Sequence, residues 1–494
     1  MSGHNPKPTV GALPDTTAES PFVPVALTWL VWSLFAASIA VLGARLLSDG
    51  AWVVPGVAVV DGLTVLLWVV VTFFSGIVHS YSRRYMAGNA VETDFFVTVF
   101  GFTVVVMGLV AADHVALFGA LWLTMGLLMA RLVGVVDGWN QAQAAAKVAR
   151  RYFLASSALL GVAVATLWWT TGATTISGVA SVSGSLDGTA LVVAAGTLVL
   201  AAMIQSALVP FHTWLLSSMT APTPASALMH AGFVNAGGIL LTRFAPVVSV
   251  DPTILLAIVV VGAVSALGGK LLKSVQSDVK GELGCSTVGQ MGFMILQAGL
   301  GFFGAAITHL VLHGFYKAYQ FLGAGGQVQR RAPGSSATAG TGLTDISVTL
   351  VTALAGGALF AFLTGKGTSP DSGLLLALFV VLTTLHAARS VVQHSDLSAT
   401  VRYGAVPLVF FPAITVYALV YTAISGLLSG LPAVTAATEL TALHALVAVA
   451  FVGVYLAVET GIHQRSHRLY VALVNASQPP QQTITTTAED YDDY

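Results

Sequence analysis

Positions 309, 313 and 317 are histidine, histidine and lysine, set four apart in the otherwise apolar stretch Ala305-Ala-Ile-Thr-His-Leu-Val-Leu-His-Gly-Phe-Tyr-Lys-Ala-Tyr-Gln-Phe-Leu322. In a helix this spacing keeps all three side chains roughly on one face, spread over about 12 Å of rise. A charged side chain at the centre of a bilayer costs on the order of 3 kcal/mol even on lenient scales, so intramembrane titratable groups point first to function. Imidazoles exchange protons near neutral pH, which makes proton or cation handling the chemistry to test for this row. The competing reading is a structural cluster whose members bond to neighbouring helices.

The composition says what must position such a row. The chain has 494 residues, 56% of them hydrophobic and 8% charged, with mean hydropathy +0.84, whereas soluble domains carry about 25% charged residues. An all-α polytopic membrane protein follows. Apolar runs of about 20 residues give about 14 candidate spans, near 24–47, 53–79, 95–111, 113–136, 151–170, 188–216, 224–247, 253–275, 282–302, 304–324, 345–365, 372–393, 402–428 and 433–459. The formal net charge of -1 gives no nucleic-acid footprint. The basic residues fall in alternate loops: Arg83 and Arg84; Lys147, Arg150 and Arg151; Lys273 and Lys280; Arg330 and Arg331; Arg402; Arg465 and Arg468. The intervening loops around 49–52, 111–113, 171–187, 300–303 and 429–433 carry none, so the positive-inside rule puts both termini in the cytoplasm. Residues 1–23 lack a basic leader and read as a cytoplasmic tail before a retained first helix. Residues 460–494 read as a cytoplasmic segment ending in a mobile acidic tail. Cys285 is the sole cysteine, which excludes an intrachain disulfide or a cysteine-based zinc site. No metal ligand set or catalytic centre is read in the chain.

Two spans are interrupted. Pro210 breaks the sixth before Phe211-His212-Thr213-Trp214, and the eleventh runs into Thr364-Gly365-Lys366-Gly367. Irregular backbone at membrane depth survives only inside protein or beside a wet cavity. Paired breaks point to an inverted-repeat transporter, with two five-helix repeats at about 95–247 and 253–393. Small-residue clusters such as Gly268-Gly269 and Gly356-Gly357 read as close helix packing.

Three blocks occur in order: Val209-Pro210-Phe-His-Thr-Trp through Pro222-Thr-Pro224 to His230-Ala-Gly; Gln276-Ser-Asp278-Val-Lys280 through Ser286-Thr287-Val-Gly-Gln290-Met-Gly292; and the 305–322 row continuing to Gly325. With Val60-Asp61-Gly-Leu63 and Ala112-Asp113 upstream, they resemble the antiporter-like subunits of respiratory complex I and of Mrp-type cation antiporters. That resemblance implies a proton path through His230, His309, His313, Lys317 and Lys366. His230 alone could simply bond to a neighbouring helix, and Lys366 could snorkel at the membrane edge. His212, Lys270 and Gln205 are candidates for lining the cavity. Lys270 also reads as interfacial, and His212 as a cap beside the proline break. The chain departs from the complex I pattern in its first half, where Leu123 follows Trp122 in place of a glutamate and Gln205 stands in place of a lysine.

The 217–238 block and the ending around Arg468-Leu-Tyr-Val-Ala-Leu-Val-Asn475 resemble the DabB family, membrane subunits of energy-coupled inorganic carbon transporters. The resemblance implies a subunit of a bacterial inner membrane that conducts H+, with Na+ as the other candidate. Zinc and the CO2 hydration chemistry would reside on a cytoplasmic DabA-like partner. The rival expectations are a proton-translocating subunit of a complex I-like or Mrp-like assembly, and a membrane scaffold that conducts nothing.

Overall fold

A computed structural model describes residues 22–48, 50–326, 342–394, 399–435, 437–461 and 465–483. The N-terminal tail up to residue 21, Arg330 and Arg331, and the acidic tail at 484–494 lie outside the described residues. The chain opens with α1 (Phe22–Leu46), a hairpin of β1 (Trp52–Val54) and β2 (Ala58–Val60), then α2 (Gly62–Tyr85), α3 (Glu92–Ala111), α4 (Val115–Val133) and α5 (Asn140–Thr171). Next come α6 (Ile176–Val182), α7 (Gly188–Gln205), α8 (Thr213–Ser217), α9 (Thr223–Ala231), α10 (Ala236–Arg243) and α11 (Ala245–Val248). The second half holds α12 (Pro252–Lys273), α13 (Val279–Gly299), α14 (Phe303–Leu322), α15 (Leu343–Thr364), α16 (Gly373–His394), α17 (Ala399–Leu427), α18 (Ala442–Glu459) and α19 (His467–Ala476). Among the described residues, 11 helical stretches are long and apolar enough to cross a membrane.

Short polar caps set where helices begin. The Asp61 side chain accepts from the Thr64 amide at 2.9 Å to start α2, and Asp278 accepts from the Gly281 amide at 2.7 Å to start α13. Each satisfies an amide that the first helical turn leaves free. The connections then alternate between two ends of the bundle. The hairpin end carries β1 and β2, Asp113 and Phe302. The basic end carries Arg83, Arg84, Lys147, Lys273 and Lys280.

Two expectations need correction. The span read at 53–79 begins instead as a hairpin, with Trp52 paired to Val60 and Val54 to Ala58. Pro55 and Gly56, the latter at φ +72, form the turn between these valine-rich arms, a type II pairing of residues. Hydropathy does not register that turn. The stretch read as one span at 224–247 is one of the 11 membrane-length stretches, Thr223–Arg243, built from α9, a 3-10 turn at Phe233–Asn235 and α10. The interruption at 364–367 is the connection from α15 to α16: Gly365 ends α15 in the left-handed region at φ +67, and Asp371 accepts from the Gly373 amide at 2.8 Å before α16. The break at Pro210 is different. There α7 stops at Gln205 and helix resumes only at Thr213, and the chain between is largely buried.

Two glycines fix the helix contacts that matter for the polar row. A Cβ on Gly269 of α12 would sit 2.2 Å from the Gly289 amide nitrogen of α13, so these two helices touch backbone to backbone. A Cβ on Gly314 of α14 would lie 2.7 Å from Phe74 and 3.0 Å from the Ala231 carbonyl, so α14 lies directly on α9. Small residues permit this approach in a membrane bundle.

Candidate functional site

The row on α14 is buried and polar at its core. Lys317 has 0% of its surface exposed, His313 5% and His230 0%. His309, one turn closer to the hairpin end, is half-buried. Because Gly314 seats α14 on α9, His313 lies against the backbone of His230. The His230 ring stacks on Phe321 of α14 at 4.3 Å between centroids.

One backbone carbonyl anchors both Lys317 and the hydrogen-bond partner of His230. Thr287 donates its hydroxyl to the Leu283 carbonyl at 2.9 Å. That hydroxyl has a single proton, so it accepts from Nδ1 of His230 at 2.9 Å. The bonding thus assigns the Nδ1-H tautomer to neutral His230 and leaves Nε2 as its free acceptor. Lys317 Nζ donates to the same Leu283 carbonyl at 2.9 Å. Further along, the His309 and His313 rings stack at 5.7 Å with 20° between their planes. Stacked rings at that spacing do not hydrogen-bond, so proton transfer between them calls for a bridging water or ring rotation. Nε2 is buried without a protein partner in His230, His309 and His313 alike.

The remaining sequence candidates lie elsewhere. Lys366 is half-buried at the hairpin end with Nζ 5.0 Å from the Phe302 ring centroid, and about two helical turns separate Phe302 from His309 along α14. The Nε2 of His212 meets the Ala476 carbonyl at 3.0 Å; that carbonyl belongs to the last turn of α19, where acceptors lack intrahelical donors. Its structural place is therefore a cap that docks α19, while Leu473 of the same helix packs on Leu216, Leu272 and Cys285. Gln205 is 1% exposed and neither amide atom finds a partner. Leu123 gives no polar group to the first half, and neighbouring Trp122 donates to Ser156 at 3.1 Å. A small apolar cavity of about 40 Å³ lies among the first-half helices against α14, lined in part by Phe74, Phe102, Met125, Asn235 and Leu310.

Lys270 leads to residues that the sequence reading missed. Its Nζ lies 3.0 Å from Nε2 of His386 on α16, and Nδ1 of that ring lies 2.7 Å from Oε1 of Glu459 on α18. Arg389 pairs with Oε2 of Glu459 at 3.1 Å. His386 and Glu459 each interrupt an apolar helix, the same signal that exposed the α14 row, but their pairing spans 73 residues and no local spacing announces it. Another missed pair closes the hairpin end: Arg243 bridges to Asp61 and donates to Thr64 at 2.7 Å and to the Val110 carbonyl at 2.6 Å.

These features meet in a stretch shared with known proteins. Residues 112–393, more than half of the chain, match the family described as NADH:quinone oxidoreductase/Mrp antiporter, TM. The chain belongs to that family. Residues 50–96 match the N-terminal part of complex I chain 5. The Bacillus subtilis protein named probable inorganic carbon transporter subunit DabB is 40% identical over 281 residues, covering 55% of this chain and 54% of that protein. The Halothiobacillus neapolitanus protein named DabB1 is 39% identical over 276 residues, covering 54% and 49% respectively. NADH-quinone oxidoreductase subunit L of Mycobacterium tuberculosis is 35% identical over 272 residues, covering 54% and 42%. The alignments thus span about half the length of these relatives. The Mrp complex from Dietzia sp. DQ12-45-1b shares the fold, with TM-score 0.56 at 22% identity over 95% of this chain and 53% of that one. The chain is a multi-pass membrane protein of the complex I/Mrp antiporter-like superfamily.

Proposed function

We propose that this chain is the ion-conducting membrane subunit of a heteromeric inorganic carbon transporter of the DabB kind, carrying H+ through Lys317, His313, His309 and His230. The observation that carries the reading is a buried cluster of titratable side chains, in which Lys317 and the Thr287 hydroxyl that accepts from His230 both donate to the Leu283 carbonyl, with two stacked imidazoles beside them. Similarity to proteins named DabB supplies the substrate class. The chain sits in a bacterial inner membrane with both termini cytoplasmic, and a DabA-like zinc partner on that face hydrates CO2. Ion flow makes that hydration effectively one-way: a potential of 100 mV supplies about 2.3 kcal/mol per elementary charge, enough to bias an equilibrium by well over tenfold. Lys366 lies at the opposite end of the path, and carbonyls at the Pro210 break would be the place for Na+ if Na+ replaces H+.

The test is growth of a carbonic-anhydrase-deficient host at ambient CO2 on expression of the chain with its partner. His313→Ala and Lys317→Ala should each abolish rescue at unchanged membrane content. Rescue by both would sink the conducting reading and favour the scaffold. Similarity to subunit L supports a second reading, a proton-translocating subunit of a complex I-like or Mrp-like assembly. Against it stand Leu123 and Gln205, which cannot titrate. Copurification separates the two: a soluble zinc protein supports carbon transport, whereas flavin and iron-sulfur proteins or several further membrane subunits overturn it.

A further inference from the structure

As a proton path the row on α14 needs exchange with a face of the membrane, and Lys317, its last member, is fully buried. A second set of titratable side chains lies across α13 from it, at the basic end. Lys270 comes from α12, His386 and Arg389 from α16, and Glu459 from the last residue of α18. Three helices distant in sequence thus converge on one linear arrangement, Lys270 Nζ to His386 Nε2 at 3.0 Å and His386 Nδ1 to Glu459 Oε1 at 2.7 Å. The His386 side chain is 45% exposed while that of Glu459 is 11% exposed, so the accessible member is the ring at the centre, between a buried carboxylate and a half-buried amine. Arg389, three residues beyond His386 on the same helical face, lies 3.1 Å from the second oxygen of Glu459 as an ion pair.

What separates this set from the row is aromatic. Phe293 of α13 contacts His309 at 5.6 Å between centroids and Phe379 of α16 at 5.1 Å. Phe379 in turn lies 4.6 Å from Phe451 of α18. His386 follows Phe379 by seven residues, two turns toward the basic end. An aromatic pair thus lies between His309 and the helix that carries His386, an arrangement of the kind that gates conduction by excluding water. The Lys273–Glu282 pair at 3.1 Å closes the α12–α13 seam, and Lys273 is near enough to interact electrostatically with both Lys270 and Lys317.

We propose that Lys270, His386 and Glu459 form the proton-exchange site by which the α14 row communicates with the basic end of the bundle, across a gate made by Phe293 and Phe379. The assignment rests on the reading of the row as a proton path. The chemistry is a single proton transfer. A protonated Glu459 passes its proton to Nδ1 of His386, and Nε2 of the same ring releases its own proton to the neutral Lys270 amine. The carboxyl becomes carboxylate, the amine becomes ammonium, and the imidazole is left as its other neutral tautomer. Ring rotation or the reverse transfer resets it.

The experiment uses membrane vesicles holding the full chain with its coexpressed partner, an imposed potassium diffusion potential, and a pH-sensitive dye to read initial proton uptake. His386→Gln retains one donor and one acceptor but cannot titrate, and Glu459→Gln likewise keeps the carboxyl shape. Each should slow uptake at least tenfold at unchanged membrane content and melting temperature, with partial recovery in Glu459→Asp. If His313→Ala is inactive while His386→Gln and Glu459→Gln keep wild-type uptake, this proposal falls and the row stands. If Glu459→Gln lowers the melting temperature and His386→Gln keeps wild-type uptake, the set is only a tie between helices and the proposal again falls. Wild-type uptake in His313→Ala itself would overturn both readings.

Discussion

Lys317 and Thr287 donate to one acceptor, the carbonyl of Leu283, each at 2.9 Å. The shared oxygen is common to the lysine and to the hydroxyl that fixes the His230 tautomer, and it leaves a fully buried amine with a neutral hydrogen-bond partner. A buried charge without a counter-ion is costly. Lys317→Met should therefore hold or raise the melting temperature of the purified protein while abolishing CO2-limited growth. A lysine kept for packing would show the opposite: loss of stability with growth retained.

Thr287 sets how His230 presents its free nitrogen. Thr287→Val keeps the shape and removes the acceptor, so Nδ1 of His230 loses its bond and the ring is free to change tautomer. A net hydrogen bond contributes about 1 kcal/mol, with more lost when a buried donor is left unpaired. Proton uptake in vesicles should fall several-fold in Thr287→Val, and Thr287→Ser should recover most of it. Equal rates in Thr287→Val and wild type would show that the Thr287 bond to His230 does not bear on conduction.

Much of this arrangement is legible in the sequence because the α14 residues announce themselves by spacing. His309, His313 and Lys317 need only a helix to line up, and the apolar run supplies one. His230 was legible through the family resemblance, but its partner Thr287 was not, since a threonine in a membrane helix ordinarily bonds to its own preceding turn. The hairpin at 52–60 was hidden because Val, Ala and Trp score as a membrane span whatever backbone they adopt, and only Pro55-Gly56 signals the turn. The Lys270, His386 and Glu459 set was hidden for a different reason. Each residue alone reads as an interfacial polar group, and their meeting depends on how α12, α16 and α18 associate.

Gln205 carries the first-half position that departs from the complex I pattern, and both its amide atoms are buried without partners. Such unsatisfied groups cost about 1 to 3 kcal/mol each. Gln205→Leu should raise the melting temperature without changing growth at ambient CO2. A loss of growth with stability intact would show that the amide acts in transport and that the first half-path is wet at this position.

Asp61 and Arg243 tie α2 to α10 at the hairpin end, with side-chain exposures of 13% and 8%. Removing one partner of such a pair leaves the other charge buried and costs about 3 to 5 kcal/mol, whereas removing both is often close to neutral. Asp61→Asn and Arg243→Leu should each lower membrane content and melting temperature, and the double variant should recover part of both. Independent, additive losses would indicate that the two side chains act separately.

Phe293 is the residue whose loss distinguishes a gate from a packed core. Its ring lies between His309 and Phe379, so Phe293→Ala opens space for water next to an imidazole whose Nε2 has no protein partner. Truncating a core aromatic costs about 3 to 5 kcal/mol, so the variant should melt earlier, and that change alone is uninformative. The informative readout is proton leak without the partner subunit: a water-filled passage should raise it several-fold in Phe293→Ala, and Phe293→Leu, which refills the volume with apolar atoms, should return it to the wild-type level. Leak that stays at the wild-type level in Phe293→Ala would mean that protons do not cross between Phe293 and Phe379, and the route from His309 to the basic end would have to run elsewhere.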